Sequence, residues 1–239
     1  MPEIKWNDPA ELGLPRIEGD GDFSGAKVIP WIPGMKTNIA DCYFMTWHTG
    51  DIRRYYEAGG KAEKLVVHFL SFDTGVIAPL WGHSYHDRVK RMKEFKVHTV
   101  LSPDFSSWIT APLAVQFYNY YKSNVVTRDL KTSGFKIIPN ICWSHPKLLA
   151  VSLDQWGPHK VSLVDMNHVT EGGIWTQAFE LGLKYYHDRF PKTPLAVYCN
   201  TKNALSLVKK IHTNCFWVAT RGGALSQMQR VGKRLRKTT

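Results

Sequence analysis

Asp104 and Asp165 each lie just past a short run of β-branched and aliphatic residues, 99–101 and 160–164. Both runs read as strands, and in parallel α/β folds reactive groups gather on the loops at the carboxyl ends of strands. The same rule brings in Ser102 and Ser106 after the first run, and Asn167 and His168 after the second. Cys142, Trp143, Ser144 and His145 follow residues 136–141, Asn200 and Lys202 follow 195–198, and Thr220 and Arg221 follow 216–219. Two acids there suit acid, base or nucleophile roles, or magnesium or manganese ligation. They would repel each other unless protonated, paired or bound to metal. Metal-assisted phosphodiester hydrolysis and glycosidic-bond chemistry on a nucleoside both fit, with Asp104 and Asp165 as catalytic or metal-holding groups. Ser106, Trp143, Asn200 and Arg221 would contact substrate, with Trp143 stacking on a base or sugar. The structural alternatives are simple. Each Asp could satisfy backbone N–H groups in a turn, and Trp143 could be core.

Gln116, Asn119 and Lys122 share one side of a helical segment that opens after Pro112. Gln116 and Asn119 are either buried hydrogen-bonded struts or substrate contacts. His83 and His86 have a spacing that permits metal ligation, but no third ligand or HExxH pattern accompanies them. The chain lacks a GxxxxGK[ST] loop, a GxSxG elbow, a GxGxxG turn after a strand, and the HxE with CxxC of zinc deaminases. These absences argue against P-loop ATPases, α/β-hydrolases, dinucleotide enzymes and deaminases.

The elements that must position these residues follow from periodicity. Runs at 28–32, 65–70, 99–101, 136–141, 160–164, 195–198 and 216–219 are nearly continuous apolar stretches, as strands buried on both faces should be. Helical segments separate most of them. Ser84 and Asp87 resemble a capping box, and Pro112 suits a first helical turn. Ile174, Ala178, Leu181 and Tyr185 form one helical stripe, as do Leu205, Val208 and Ile211 after a Thr201 cap. The pattern predicts an α/β fold, a compact TIM-like (β/α) barrel over residues 25–222, with an open doubly wound parallel sheet as the alternative. Residues 1–24, rich in Pro, Gly and acids, read as an extended arm, and 223–239 as a basic C-terminal helix or tail.

At 239 residues with 44% hydrophobic content, the chain can bury a substantial core. Its net charge of +11 favours a polyanion partner, nucleic acid first. Arg230, Lys233, Arg234, Arg236 and Lys237 in the tail would contact phosphates, unless they serve solubility alone. The four cysteines form no CxxC pair, which suits a reducing cytoplasm. No run approaches the roughly 20 apolar residues of a membrane span, and the N-terminus does not read as a signal peptide. The number of subunits stays open.

One stretch, residues 100–144, carries SPDFS, then PLAxQ, NxY and GxKxIPxIxWS in order. This resembles a group of phage and prophage proteins known as domain of unknown function 4417, from about Leu65 to Trp143 and more weakly to Tyr198. The resemblance implies a phage or mobile-element context and attaches most firmly to Gln116 and Asn119. Arg128 lines up with an arginine of that pattern, although the surrounding SNVVTRDLK departs from it. The expectation is therefore a phage protein that acts on or binds nucleic acid. The alternative is a non-catalytic nucleic-acid-binding, host-interaction or replication accessory protein on a barrel scaffold.

Overall fold

A computed structural model describes residues 42–70, 76–107, 109–153, 156, 159, 161–167, 174–199 and 202–219. Strands and helices alternate through β1 (Tyr43–Thr46), α1 (Thr49–Glu57), β2 (Leu65–His68), α2 (Tyr85–Glu94), β3 (Thr99–Leu101), α3 (Leu113–Thr132) and β4 (Lys136–Ile138). The order continues with α4 (Leu149–Leu153), β5 (Ser162–Asp165), α5 (Ile174–Arg189), β6 (Leu195–Cys199), α6 (Lys202–Lys209) and β7 (Cys215–Ala219). All strand pairs are parallel, in the orders β1-β2-β3-β4 and β5-β6-β7. Neither order reverses, so the switch point of a doubly wound sheet is absent among the described strands.

Among the described residues, backbone pairing joins the two sheets at one place. Asn140, just past β4, bridges Leu163 in parallel. Ile141 N–H donates to the Leu163 carbonyl at 2.7 Å, and Leu163 N–H donates to the Pro139 carbonyl at 2.8 Å.

Side-chain alternation sorts the strands onto two faces. Outward residues pack under the helices, with Met45, Val67, Val100 and Ile137 in one cluster and Val164, Leu195 and Val197 in another. The inward residues form a third cluster fed by all seven described strands: Phe44, Val66, Leu101, Ile138, Leu163, Ala196, Tyr198 and Val218. Burying such a side chain stabilises by about 1.5–3 kcal/mol. His68 of β2 lies edge-on to Tyr198 of β6, with ring centroids 4.9 Å apart. In a flat sheet, strands four places apart would lie about 19 Å apart. The strand array is therefore strongly curved. No β1–β7 pairing is among the described ones, so the expected barrel is not completed by hydrogen bonds there.

Six of the seven expected strands are present, and the seventh, at 28–32, lies outside the described residues. So do the arm at 1–24, the tail at 223–239 and the Thr201 cap. Sequence reading missed β1, whose four residues, YFMT, offer too short a pattern. Two helix expectations need correction. Ser84 makes no capping bond, because its backbone (φ −81°, ψ −1°) is already helical and not the extended form that aims a cap. In α5 the buried face is Thr176, Phe179, Leu183 and Tyr186, while Leu181 of the expected stripe is 46% exposed.

Helices α2 and α3 meet where the Tyr85 hydroxyl and Ser133 Oγ hydrogen-bond at 3.1 Å. Beside them Asp129 is partly buried. Burial raises its carboxyl to about 6, against the downward pull of Arg128 and His86, so desolvation outweighs both cations. A folded-state value above the ordinary carboxylate range means that the folded chain holds this proton more tightly than the unfolded chain. That contribution to stability is full below the unfolded value and is lost as pH rises through about 6. Asp129→Asn should melt higher than the parent at pH of about 7, with the gain vanishing towards pH of about 4. Thermal melts of both proteins across that window check it, and a pH-independent difference would refute it.

Candidate functional site

The end of β4 is bonded to both neighbours. On the β3 side Ser102 N–H donates to the Ile138 carbonyl at 2.9 Å, and Asn140 N–H donates to Ser102 Oγ at 2.8 Å. On the other side Pro139, which has no N–H, accepts from Leu163, and Ile141 donates to it. Asn140, 3% exposed, lies one alternation above inward-facing Ile138. Neither Nδ2 nor Oδ1 of its side chain has a hydrogen-bond partner among the described residues.

The other strand ends crowd polar groups nearby in the fold. After β3, the Asp104 carboxylate accepts a hydrogen bond from the Cys142 thiol of the loop after β4. Burial, then the Asp104 charge, pushes that thiol well above its ordinary value. That direction favours the protonated thiol over the thiolate. Asp165 is the last residue of β5, one position earlier than the loop expected for it; its Oδ1 accepts Asn167 N–H at 2.8 Å, and the buried Asn167 Oδ1 has no hydrogen-bond partner among the described residues. At the end of β2, His68 is fully buried, and its Nδ1 accepts Leu70 N–H at 3.2 Å. That bond assigns the ring proton to Nε2 if the ring is neutral.

Gln116 and Asn119 reach these loops from α3. Gln116 is fully buried; its amide Nε2 donates to the Ala111 carbonyl at 2.7 Å. Its Oε1 accepts from Ser144 Oγ and from His145 N–H, the latter at 3.2 Å. Asn119 Nδ2 donates to the Ser106 carbonyl at 2.7 Å. The Tyr120 hydroxyl bonds Ser144 Oγ at 3.0 Å, and Ser123 Oγ accepts Phe105 N–H at 3.2 Å. These side chains tie the loops after β3 and β4 to one helix, the strut arrangement weighed from sequence.

Trp143 leans away from the interior. Its Nε1 donates to the Ala178 carbonyl at 3.0 Å, and its ring lies 5.3 Å from Phe179. Both contacts are on α5, which places the indole in packing. Asn200, His168, Thr220, Arg221 and the cations Arg230, Lys233, Arg234, Arg236 and Lys237 lie outside the described residues. No group of three His, Cys, Asp or Glu side chains placed to hold a metal occurs among the described residues. No described helix is long and apolar enough to cross a membrane.

Residues 23–212 match the family described as Domain of unknown function (DUF4417). The chain belongs to that family. It is similar to the Gene 1 protein of Mycobacterium phage L5, 26% identical over 168 residues that cover 70% of each chain. No solved structure matches it. The DUF4417 match extends beyond the stretch legible from its motifs on both sides and takes in Asp104, Asn140 and Asp165. Arg221 and the tail cations fall after it. Asn140 and Cys142 occupy unspecified positions of GxKxIPxIxWS, so the motif gave no signal for either. The one available clue was Pro139, which must interrupt a strand ladder.

Two outcomes follow. Alkylation of Cys142 by iodoacetamide, followed by peptide mass spectrometry, should be slow in the parent and faster in Asp104→Asn, since removing the carboxylate charge lowers the thiol's value. An unchanged rate would refute the pairing. A Cβ on Gly182 would sit 2.2 Å from Trp143 Nε1. Ala at a helix interior normally gains about 1 kcal/mol over Gly. Here Gly182→Ala should lose roughly 1–3 kcal/mol by overpacking, read as a lower melting temperature.

Proposed function

We propose that this DUF4417 protein engages a nucleotide unit of nucleic acid at the carboxyl ends of its strands, on a compact TIM-like (β/α) barrel. The seven-strand interior and the His68–Tyr198 contact support the barrel reading. The observation that carries the functional one is Asn140. A buried amide with neither end hydrogen-bonded costs about 1–3 kcal/mol per unsatisfied group. A leucine would avoid that cost, and such groups need a reason such as a ligand or an ordered water. A carboxamide offers one donor and one acceptor side by side, the pattern that pairs with a nucleobase edge.

Asp104, on the loop after β3, and Asp165, the last residue of β5, flank Asn140 in the strand order. They are the groups for acid, base or nucleophile work. They would also hold magnesium or manganese, since magnesium is commonly bound through one or two carboxylates with water completing its shell. Such an ion would stabilise charge on a phosphodiester. Without it, the same pair suits glycosidic chemistry on a nucleoside. Ser106, Asn200, Arg221 and the C-terminal cations would hold the rest of the chain of nucleotides, and the phage relative gives this reading its context.

A second reading has its own observation: each acid already has a structural partner, Asp104 the Cys142 thiol and Asp165 the Asn167 amide. On that reading the protein binds nucleic acid without changing it.

Asn140→Leu should leave thermal stability equal or higher, because an unsatisfied amide leaves the interior, and should abolish nucleotide binding measured by calorimetry. Unchanged nucleotide binding would overturn the proposal. The folded Asp104→Asn, Asp165→Asn double variant separates the two readings: loss of turnover with binding kept favours the enzyme. A parent that binds nucleic acid and turns nothing over, with or without divalent metal, favours the binder.

A further inference from the structure

The amino-terminal half of α3 shows its apolar side chains to solvent. Phe117 is 53% and Tyr118 48% exposed, with Leu113 and Val115 beside them. Exposed large apolar groups in one patch mark an interaction surface more often than not. This patch is not a plain greasy face, because its rings are ordered. Trp81 lies 6.2 Å from both Tyr118 and Tyr121, edge-on to each. Tyr118 and Tyr121 are nearly parallel, 17° apart in plane with centroids separated by 6.4 Å. Cations run through the rings. Lys122 Nζ lies 4.6 Å from the centroid of Phe105 and 5.0 Å from that of Tyr118. About two turns past Tyr121 on the helix, the Arg128 guanidinium opposes the upward shift that burial gives the Tyr121 phenol. The buried Nη2 of Arg128 has no hydrogen-bond partner among the described residues.

The mixture selects its partner. A protein docking on an apolar face would have to strip water from Lys122, and lysine is depleted from interface cores for that reason. A polyanion keeps the ammonium matched, and the chain's net charge of +11 favours one. Aromatic rings interleaved with cations are what unstacked bases and their phosphates require. In a duplex the base faces are already covered, so the fit is to single strands. We propose that Trp81, Tyr118, Tyr121, Lys122 and Arg128 form a stacking track for single-stranded nucleic acid on the outer side of α3. Ten residues of helix between Tyr118 and Arg128 span about 15 Å, room for a few nucleotides. The track shares no residue with the Asn140 site.

The test uses the full chain and a fluorescein-labelled oligo-dT, read by anisotropy. Tyr118→Ala should weaken binding about tenfold, the usual effect of losing one stacking ring, while Tyr118→Phe should bind as the parent does. Lys122→Gln and Arg128→Gln should each reduce the slope of log affinity against log salt by about 0.7. A duplex of the same length should bind less tightly. Equal affinity in Tyr118→Ala and the parent overturns the track, as does equal weakening in Tyr118→Phe, which would implicate the hydroxyl. A change in oligomer mass in Tyr118→Ala with oligo-dT affinity unaltered also overturns it and assigns the patch to a second copy. Loss of oligo-dT binding in Asn140→Leu but not in Tyr118→Ala overturns the track and leaves the strand-end site standing. The reverse result supports the track alone.

Discussion

Two backbone hydrogen bonds at Leu163, to the Pro139 carbonyl and from Ile141 N–H, join a four-stranded and a three-stranded sheet into one array. Amides of successive β4 residues point to opposite neighbours: those of Lys136 and Asn140 face β3, while Pro139 and Ile141 face β5. β4 therefore bonds both strands at once, and Pro139, which has no N–H, gives β5 its carbonyl alone. On the β3 side Ser102 Oγ accepts the Asn140 amide, as a buried backbone donor requires. The interior that all seven described strands share depends on this double pairing, because only a curved array can bring His68 against Tyr198.

The same junction accounts for what lies above the interior. Alternation past Ile138 sets Asn140 inward and Ile141 outward into the second helix-covered cluster. A polar residue at that inward position is expensive, since most of the cluster around it is apolar, from Leu101, Ile138 and Leu163 to Phe44 and Tyr198. The acids stand differently. Asp104 and Asp165 are only partly buried, and each has a hydrogen-bonded partner. Asn140, whose side-chain amide has no hydrogen-bond partner among the described residues, lies between them in the strand order.

What the sequence could show was whatever local chemistry decides. Strands buried on both faces betray themselves as continuous apolar runs, and six were placed within a few residues. β1 escaped because four residues carry no usable period. The α5 stripe was assigned to the wrong side because periodicity cannot say where Trp143 will lie. The indole takes the space over Gly182, and the helix turns Phe179, Leu183 and Tyr186 inward. Of the candidate site, the acids were singled out by their places at strand ends, and Gln116 and Asn119 as polar groups in an apolar helix. Asn140 was not legible, since its burial comes from strand pairings between residues far apart in sequence.

α3 mixes polar and apolar groups on its buried side. It buries Gln116, Ser123, Asn124 and Thr127 along with Tyr120, Val125, Val126 and Leu130, and exposes Leu113, Val115, Phe117 and Tyr118 at its amino-terminal half. The buried polar side is used up as wiring. Gln116 holds the Ser144–His145 turn, Asn119 the Ser106 carbonyl, and Ser123 the Phe105 amide. Those contacts pin both loops that carry Asp104 and Cys142, and several of them fall on residues that also carry the family resemblance. Hydrophobic anchoring of the helix comes from Tyr120, Val125, Val126 and Leu130, and the exposed Leu113, Val115, Phe117 and Tyr118 add nothing to it. On the readings proposed above, the inner wiring positions one candidate site and the outer rings offer a second surface on the same twenty residues. Any account of this protein that uses only the strand ends leaves half of α3 without a cause.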